Sequence, residues 1–287
     1  MTDARKVIVE KPGGPEVMSL VSENVPPPKE GEVTIRQTAI GFNFIDIYQR
    51  SGTYPIDLPS GLGFEAAGRV EMIGEGVIGV GIGDRVAYMN AGLGAYTDRR
   101  NVLASKLVTL PDNISDEAAA SLLFKGMTAQ YLVRKTHPVK PGELLLVHSA
   151  AGGVGQIMTR WATALGATVI GTTSSPRKRD TALAAGAVAV IDTNDEQWPE
   201  AFLEASGGRK ARVVYDAVGK ATLLKSLDCA AQFGLVVNYG AASGRAPAVD
   251  PELLNKKGCL FLTRPSVFPH NADPETFRAN AADLFNA

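Results

Sequence analysis

Short alternating runs of apolar and polar residues fill the chain up to about residue 120, at Lys6–Val9, Val33–Ala39, Gly68–Ile73, Asp84–Tyr88, Ala95–Arg99 and Leu107–Leu110. Pro26–Pro28 interrupts them, and Gly74, Gly76, Gly79, Gly81 and Gly83 crowd the middle. Period-two runs broken so often by glycine and proline predict short strands in a small, strongly bent β-domain. The period then changes. Ser115–Asp116–Glu117 reads as a helix N-terminus for Ala118–Arg134, a helix expected to lead across between two domains. Leu144–Val147 is apolar without a break, as suits a parallel strand buried on both faces. Val154, Ile157, Met158, Trp161, Ala162 and Leu165 follow at helical spacing, and Gly166 supplies a stop. A second strand then leads into Thr172, and further strands are predicted at Ala187–Ile191, Arg212–Tyr215, Gly234–Tyr239 and Gly258–Thr263. Strands alternating with helices read as βαβ units, so the expected class is α/β, with a β-domain preceding a doubly wound parallel sheet.

The turn after Leu144–Val147 carries the first chemistry. Ala150, Gly152 and Gly155 occupy the places of a dinucleotide fingerprint, with alanine in the first. Small residues there allow a tight turn, a close backbone approach to a pyrophosphate, and close helix–strand packing in a Rossmann unit. The anion would sit at the helix start, where free N–H groups and the dipole favour negative charge. An NAD site usually carries an acid at the end of the second strand. No acidic residue lies between Glu143 and Asp180, and Thr172, Thr173, Ser174, Ser175, Arg177, Lys178 and Arg179 stand there instead. Hydroxyls and cations suit a 2′-phosphate, which predicts NADPH. The competing reading is a solvated basic loop after a structural glycine turn.

Composition narrows the class. The 287 residues suggest about two domains. A net charge of −1 and the lack of a polybasic tract give no reason to expect nucleic acid or membrane binding. Asp3, Arg5 and Lys6 run directly into Val7–Val9 with no signal-peptide core, and Cys229 and Cys259 are too far apart to suggest a disulfide framework. A reducing cytoplasm is the simplest home, and both cysteines are expected to be buried small hydrophobes. His137, His148 and His270 show no ligand spacing, and His148, following a buried strand, reads as structural.

Ordered blocks run almost end to end: GFNFIDIYQRSGTYP at 41–55, GLGFEAAGRV at 61–70, GDRVAY at 83–88, FKGMTAQYLVRKTHPVKPGE at 124–143, AAGGVGQ at 150–156, VVYDAVGKATLLKSLDC at 213–229 and KKGCLFLTRPS at 256–266. With these blocks the chain resembles the zinc-free quinone oxidoreductases of the zeta-crystallin type, in the medium-chain dehydrogenase/reductase superfamily. The resemblance implies a GroES-like catalytic domain over 1–120, a Rossmann NADPH-binding domain over 121–270, and a helix over 271–287 that starts a return to the first domain. Zinc-dependent relatives have a cysteine at the place of Asn43 and a histidine at that of Phe64. An amide and a phenyl ring cannot replace thiolate and imidazole, so no zinc and no other metal is expected. Without a metal the acceptor must need little Lewis-acid help, and a quinone is such an acceptor. The expected activity is reduction of a quinone by NADPH through hydride or one-electron transfer in an interdomain cleft, the protein holding the nicotinamide against the acceptor. Reduction of activated enone or enal double bonds is an alternative. A silent nucleotide-binding, structural or RNA-binding crystallin-like protein is another, although the neutral charge argues against RNA.

The same resemblance places Asn43, Asp46 and Tyr48 near the nicotinamide or the acceptor. It puts Thr128 and Tyr131 behind the nicotinamide, and Gly152, Gly153, Val154 and Gly155 under the pyrophosphate. Val218 and then Gly240, Ala241, Ala242 and Ser243 would line the cofactor cleft, and Pro265 and Ser266 would complete the nicotinamide pocket. Ser174 and Lys178 are chosen for the 2′-phosphate, because a flexible ammonium acts there as a point charge. Thr193 stands where the family commonly has a tyrosine near the adenosine phosphate; it offers a hydrogen bond but no stacking face. Tyr54 and Phe64 are candidates to stack on a quinone. Plainer roles compete: Asp46 and Glu65 bonding backbone groups, Tyr48 packing, Gly240 ending a strand, and most of Arg177–Arg179 solvated. Family members continue beyond Asp283–Leu284–Phe285 into a helix and strand that return to the first domain, which leads us to expect either a truncated record or a less stable short variant. Gly258–Thr263, an apolar stretch, would be an exposed sheet edge inviting a second copy, and the resemblance implies the same homodimer.

Overall fold

The computed structural model describes residues 2–287, of which 2–124 with 271–286 form one compact unit and 125–270 another.

The first unit is built on β1 (Thr2–Val9), β2 (Met18–Val25), β3 (Glu32–Ile40), β4 (Ser60–Gly61), β5 (Ala66–Ile73), β6 (Arg85–Tyr88), β7 (Arg99–Leu103) and β8 (Val108–Thr109). They make a three-stranded sheet ordered β2-β1-β4 and a five-stranded one ordered β7-β3-β5-β6-β8. Register shifts between Thr34 and Ile35 and again between Gln37 and Ala39 bend β3 against β5, and the bend wraps the sheet around Val33, Ile35, Val70, Val86, Tyr88 and Val102. The short helix α1 (Phe44–Arg50) follows β3, and α2 (Asp116–Tyr131) begins with Ser115 Oγ accepting the Ala118 N–H at 3.1 Å. Arg85 clamps that start, donating to Asp116 at 2.7 Å.

The second unit contains β9 (Leu144–Val147), α3 (Gly153–Ala164), β10 (Thr168–Thr173), α4 (Arg179–Ala184), β11 (Ala189–Asp192), α5 (Trp198–Ala205), β12 (Ala211–Asp216), α6 (Leu223–Cys229), β13 (Ala230–Asn238), α7 (Pro251–Lys256), β14 (Phe261–Thr263) and α8 (Val267–His270). The six strands are parallel in the order β11-β10-β9-β12-β13-β14. Numbered within the unit this is 3-2-1-4-5-6, the Rossmann order, with its reversal between β9 and β12. Leu144, Leu146, Ile170, Val214 and Val236 share one core with Trp198 and Phe202 of α5 and Leu223 and Leu227 of α6. The last helix, α9 (Pro274–Asn286), belongs to the first unit and buries Phe277 and Ala281.

Several sequence expectations need correction. The stretch Ala95–Arg99 is not a strand: only an isolated bridge at Thr97 pairs with Lys6, and the strand starts at Arg99. Gln37 explains the shift, since its amide donates to the carbonyls of Ala95 and Thr97 and takes the place of a ladder. The edge strand begins at Phe261 rather than Gly258, because Gly258 and Cys259 have φ of 122° and 53°, which no strand tolerates. Cys259 is exposed, not buried. The helix from Asp116 stops at Tyr131 and continues as a π-helical turn over Leu132–Thr136. Strand β2 has no buried face until Val25, so its alternation carried no signal. Among the described residues no helix is long and apolar enough to cross a membrane.

Trp161 and Trp198 both lie in the second unit, so tryptophan fluorescence reads its unfolding alone. Phe202→Ala, in that unit's core, is expected to cost about 3–5 kcal/mol in denaturant titration followed by this signal. Burial, helped by the Asp228 carboxylate, pushes the Cys229 thiol up to about 12 from 9.0. The unfolded thiol therefore ionises first, so this contribution is intact below pH 9 and falls away as the pH rises towards 12. Cys229→Ala should flatten the alkaline limb of the fluorescence-monitored stability profile.

Candidate functional site

The carboxyl ends of the parallel strands bring most of the predicted cofactor residues together on one edge of the second unit. At the end of β9, Ser149 takes φ of 53° and the chain turns into α3. A Cβ on Gly155 would lie 2.2 Å from the Ser149 carbonyl oxygen and 2.8 Å from the Ala150 Cα, so only glycine lets α3 start this close to β9. The alanine in the first fingerprint place has its own fit: Gly171 of β10 faces it, and a Cβ there would come within 2.6 Å of the Ala150 Cβ. The Ala150 N–H donates to the Thr172 carbonyl at 3.0 Å, tying the turn to β10. Gly152 caps α3 without a side-chain hydrogen bond, and the helix opens on Gly153 and Val154, whose N–H groups precede the first intrahelical bonds. The stem of Lys125 crosses Gly153, where a Cβ would meet its Cδ at 2.7 Å. Sequence reasoning missed Lys125, since nothing but its position in the block at 124–143 marked it.

Past β10, the hydroxyls and cations divide. Thr172 Oγ1 pairs with His148 Nδ1 at 3.0 Å, and Thr173 Oγ1 accepts the Ser175 N–H at 3.2 Å, so both hydroxyls are engaged within the fold. Arg179 donates to the Val190 carbonyl at 2.6 Å and straps α4 to β11. Ser174, Arg177 and Lys178 remain exposed. Thr193 joins this edge through its N–H to the Thr173 carbonyl at 3.0 Å, and Asn194 donates to the Ser174 carbonyl at 2.8 Å. Asp192, the last residue of β11, accepts the Asn194 N–H at 2.9 Å.

The loops after β12 and β13 are knitted together. Buried Asp216 accepts the N–H groups of Val218 at 2.8 Å and Gly219 at 2.9 Å, and the Thr222 hydroxyl at 2.8 Å. Ser243 donates its hydroxyl to the Val218 carbonyl at 2.8 Å and accepts the Ala221 N–H at 2.9 Å, while the Ala242 N–H reaches the Ala217 carbonyl at 3.1 Å. Gly240 is required by close approach, since a Cβ would meet the Ala217 oxygen at 2.4 Å, and Ala241 is buried beside it. Arg264 braces the end of β13 by donating to Asn238 Oδ1 at 2.6 Å and to the Gly240 carbonyl at 3.3 Å. Pro265 lines a groove with Phe233, Leu235 and Phe261, and Ser266 is exposed. Thr128 and Tyr131 are buried on α2; the Tyr131 ring stacks on His270 at 4.6 Å, and burial drives its hydroxyl pKa well above the ordinary value, against a smaller pull from Arg264.

In the first unit, Asn43 opens α1. Its N–H donates to Asp46 Oδ2 at 2.9 Å and its Nδ2 to Glu65 Oε2 at 2.8 Å. Glu65 also accepts the Phe124 N–H, and Tyr96 donates its hydroxyl to Asp46 at 2.9 Å. Burial and then the Asp46 charge push the Tyr96 pKa far above its ordinary value. Gly41 allows this packing, because a Cβ there would lie 2.4 Å from Glu65 Oε2 and 2.1 Å from the Ala120 oxygen. Asp46 and Glu65 thus bind backbone groups, the plainer of the two roles weighed from sequence. Tyr48 is half-buried, its ring 5.1 Å from Tyr54 and 6.1 Å from Phe44. Phe64 is buried, its ring centroid 6.4 Å from that of Phe124. Among the described residues no cluster of three or more His, Cys, Asp or Glu is arranged to hold a metal ion.

Comparison with known proteins accounts for this arrangement. Residues 29–141 match the alcohol dehydrogenase GroES-like domain, and residues 153–285 match the zinc-binding dehydrogenase domain. Quinone oxidoreductase 1 of Escherichia coli is 46% identical over 284 residues, covering 99% of this chain and 87% of that protein. The chain belongs to the quinone oxidoreductase family. Its superfamily is that of the medium-chain dehydrogenases and reductases. The solved structure of an E. coli quinone oxidoreductase complexed with NADPH superposes with a TM-score of 0.95 at 46% identity, over 98% of this chain and 87% of that one. A family relative with a different name, 2-haloacrylate reductase of Burkholderia sp., is 42% identical over 98% of this chain and 86% of its own length.

Glu65→Ala removes the acceptor that Asn43 and the Phe124 N–H share in a buried site. It is expected to cost about 1–3 kcal/mol for each donor left without compensation. Calorimetric unfolding of the first unit measures this, and Glu65→Gln should recover part of the loss.

Proposed function

We propose that this chain reduces quinones with NADPH and without zinc. The observation that carries the proposal is the nucleotide edge of the second unit. There α3 starts against β9 at a distance only Gly155 permits, and the loop after β10 exposes Ser174, Arg177 and Lys178 but no carboxylate. A pyrophosphate fits such a helix start, and a 2′-phosphate fits such a loop. The E. coli relative complexed with NADPH supports the same cofactor.

In this reading Gly152, Gly153, Val154 and Gly155 present backbone to the pyrophosphate, with the Lys125 ammonium as a countercharge. Ser174 and Lys178 take the 2′-phosphate, while Thr193 and Asn194 hold the loop that carries them. Val218 and Gly240–Ser243 form a preset wall, and Thr128, Tyr131, Pro265 and Ser266 flank the nicotinamide. NADPH supplies reducing equivalents to the acceptor as a hydride or as single electrons. Asn43 and Asp46 fix the entry to α1, and Tyr48 and Tyr54 offer flat faces to an aromatic acceptor. This reading assigns no side chain as a general acid or base, and solvent delivers the protons. The zinc-free proposal rests on ligand chemistry. The two places where zinc-dependent relatives have cysteine and histidine hold Asn43, whose amide donates to Glu65, and Phe64, which has no donor atom. The identity with 2-haloacrylate reductase favours a second reading, reduction of an activated carbon–carbon double bond by the same unit.

The proposal includes a cytoplasmic homodimer. Among the described residues strand β14 pairs only with β13, and it presents Phe261 at 61% exposure; an apolar edge of this kind is capped by pairing with a second copy. Size-exclusion chromatography at micromolar concentration should give twice the chain's mass; a monomer overturns the dimer.

The activity is tested by titrating the protein with NADPH and with NADH while following tryptophan fluorescence, then adding 1,4-benzoquinone or 2-chloroacrylate. Tight NADPH binding with rapid loss of reduced-nicotinamide absorbance on quinone addition is the expected result. Turnover with 2-chloroacrylate alone selects the second reading, and failure to bind either nucleotide overturns both. Lys178→Ala should weaken NADPH roughly tenfold, the equivalent of one charge-assisted hydrogen bond, and leave NADH nearly unchanged.

A further inference from the structure

Beneath the nucleotide edge, a line of buried side chains crosses neighbouring strands. Thr172 is the penultimate residue of β10, His148 follows β9, Ser226 lies on α6, and Asp216 ends β12. All four are at most 1% exposed. Thr172 Oγ1 lies 3.0 Å from His148 Nδ1, His148 Nε2 lies 3.0 Å from Ser226 Oγ, and Ser226 Oγ lies 3.1 Å from Asp216 Oδ2.

The direction of these bonds follows from counting hydrogens. The Ser226 hydroxyl has a single hydrogen and polar neighbours at Asp216 Oδ2, the Thr222 carbonyl at 3.0 Å, and His148 Nε2. The first two can only accept. Were the hydrogen given to His148, the Ser226 lone pairs would confront a carboxylate and a carbonyl at hydrogen-bond distance. The charged carboxylate is the stronger acceptor, so the hydrogen goes to Asp216 Oδ2, and His148 Nε2 must donate. Nδ1 then carries the lone pair and accepts from Thr172. Burial keeps the imidazole neutral by holding its pKa below the ordinary value; Asp216 is the ionisable group that faces it, and Trp198 meets it edge-on at 5.1 Å. At the far end Asp216 holds the Val218 and Gly219 N–H groups.

We propose that Thr172, His148, Ser226 and Asp216 form a one-directional positioning relay, with His148 fixed as the Nε2–H tautomer, that sets the Val218–Gly219 loop relative to the 2′-phosphate end of β10 and so prearranges the cofactor edge. The relay touches no reacting atom. It rests on the NADPH reading and adds to it a positioning role for residues that no ligand contact would reveal. Because binding to a preset wall is what it provides, its loss should appear in cofactor affinity rather than in the rate at saturation.

Nitrogen-15 spectra of the three histidines, with His148 assigned by its loss in His148→Phe, test the direction. A single Nε2–H form that does not titrate while the protein stays folded is expected; an Nδ1–H form or a titrating ring overturns the relay. Ser226→Ala removes one oxygen atom and tests the positioning role. The expected result is a KM for NADPH raised roughly tenfold with kcat nearly unchanged, and no further rise in the double variant with His148→Phe, because one interruption already breaks the chain. Unchanged KM in folded Ser226→Ala, or a fall in kcat at unchanged KM, overturns the positioning role. Should His148→Phe fail to fold, Ser226→Ala decides alone, and its lost partner shift assigns the His148 signal. Failure of the unaltered protein to bind NADPH sinks the cofactor reading itself, a result separate from one seen only in the variants.

Discussion

The nucleotide edge depends on how closely α3 begins against the end of β9. With the Ser149 oxygen 2.2 Å from where a Gly155 Cβ would stand, the helix start is pressed against the strand. That closeness aims the first N–H groups of α3 outward from the carboxyl edge of the sheet, where a ligand of a doubly wound fold binds. The other loops are arranged around it. Ala150 fits because Gly171 yields space in the next strand, and the Ala150 N–H links the turn to Thr172. One steric constraint therefore ties two strands to the start of a helix, the point proposed to hold the anion.

Buried polar groups complete what the steric constraint begins. Asp216 and Glu65 are carboxylates taken wholly out of water, a state that is tolerable only when every lone pair is matched. In the second unit the partners are two N–H groups and two hydroxyls; in the first they are an Asn43 amide and the Phe124 N–H. Each carboxylate thereby organises a loop that carries proposed site residues: Val218 in one unit, and the Asn43 entry to α1 in the other. Each carboxylate, with its partners in view, is an organiser of backbone. The exposed cations of the loop after β10 are of the opposite kind, since the Lys178 side chain lies at the surface, where a ligand could reach it.

The sequence by itself determined the unbroken apolar strand Leu144–Val147, the helix that follows, the fingerprint glycines and the absence of an acid after β10. Each is a local property: a period, a small side chain at fixed spacing, or a missing charge. What depended on distant partners was decided only by the tertiary structure. Ala95–Arg99 has strand periodicity, but the Gln37 amide takes its carbonyls; Gly258 and Cys259 look like strand, but their positive φ angles turn the chain before β14 begins. Thr172, Thr173 and Arg179 resemble ligand residues as closely as Lys178 does, and only packing shows that they face His148, Ser175 and Val190. The physical reason is the range of the forces. Backbone propensity and hydrophobic period act between residues a few positions apart, whereas the partner of a hydrogen bond, and so the direction a polar side chain faces, is chosen by whatever the fold brings within about 3 Å.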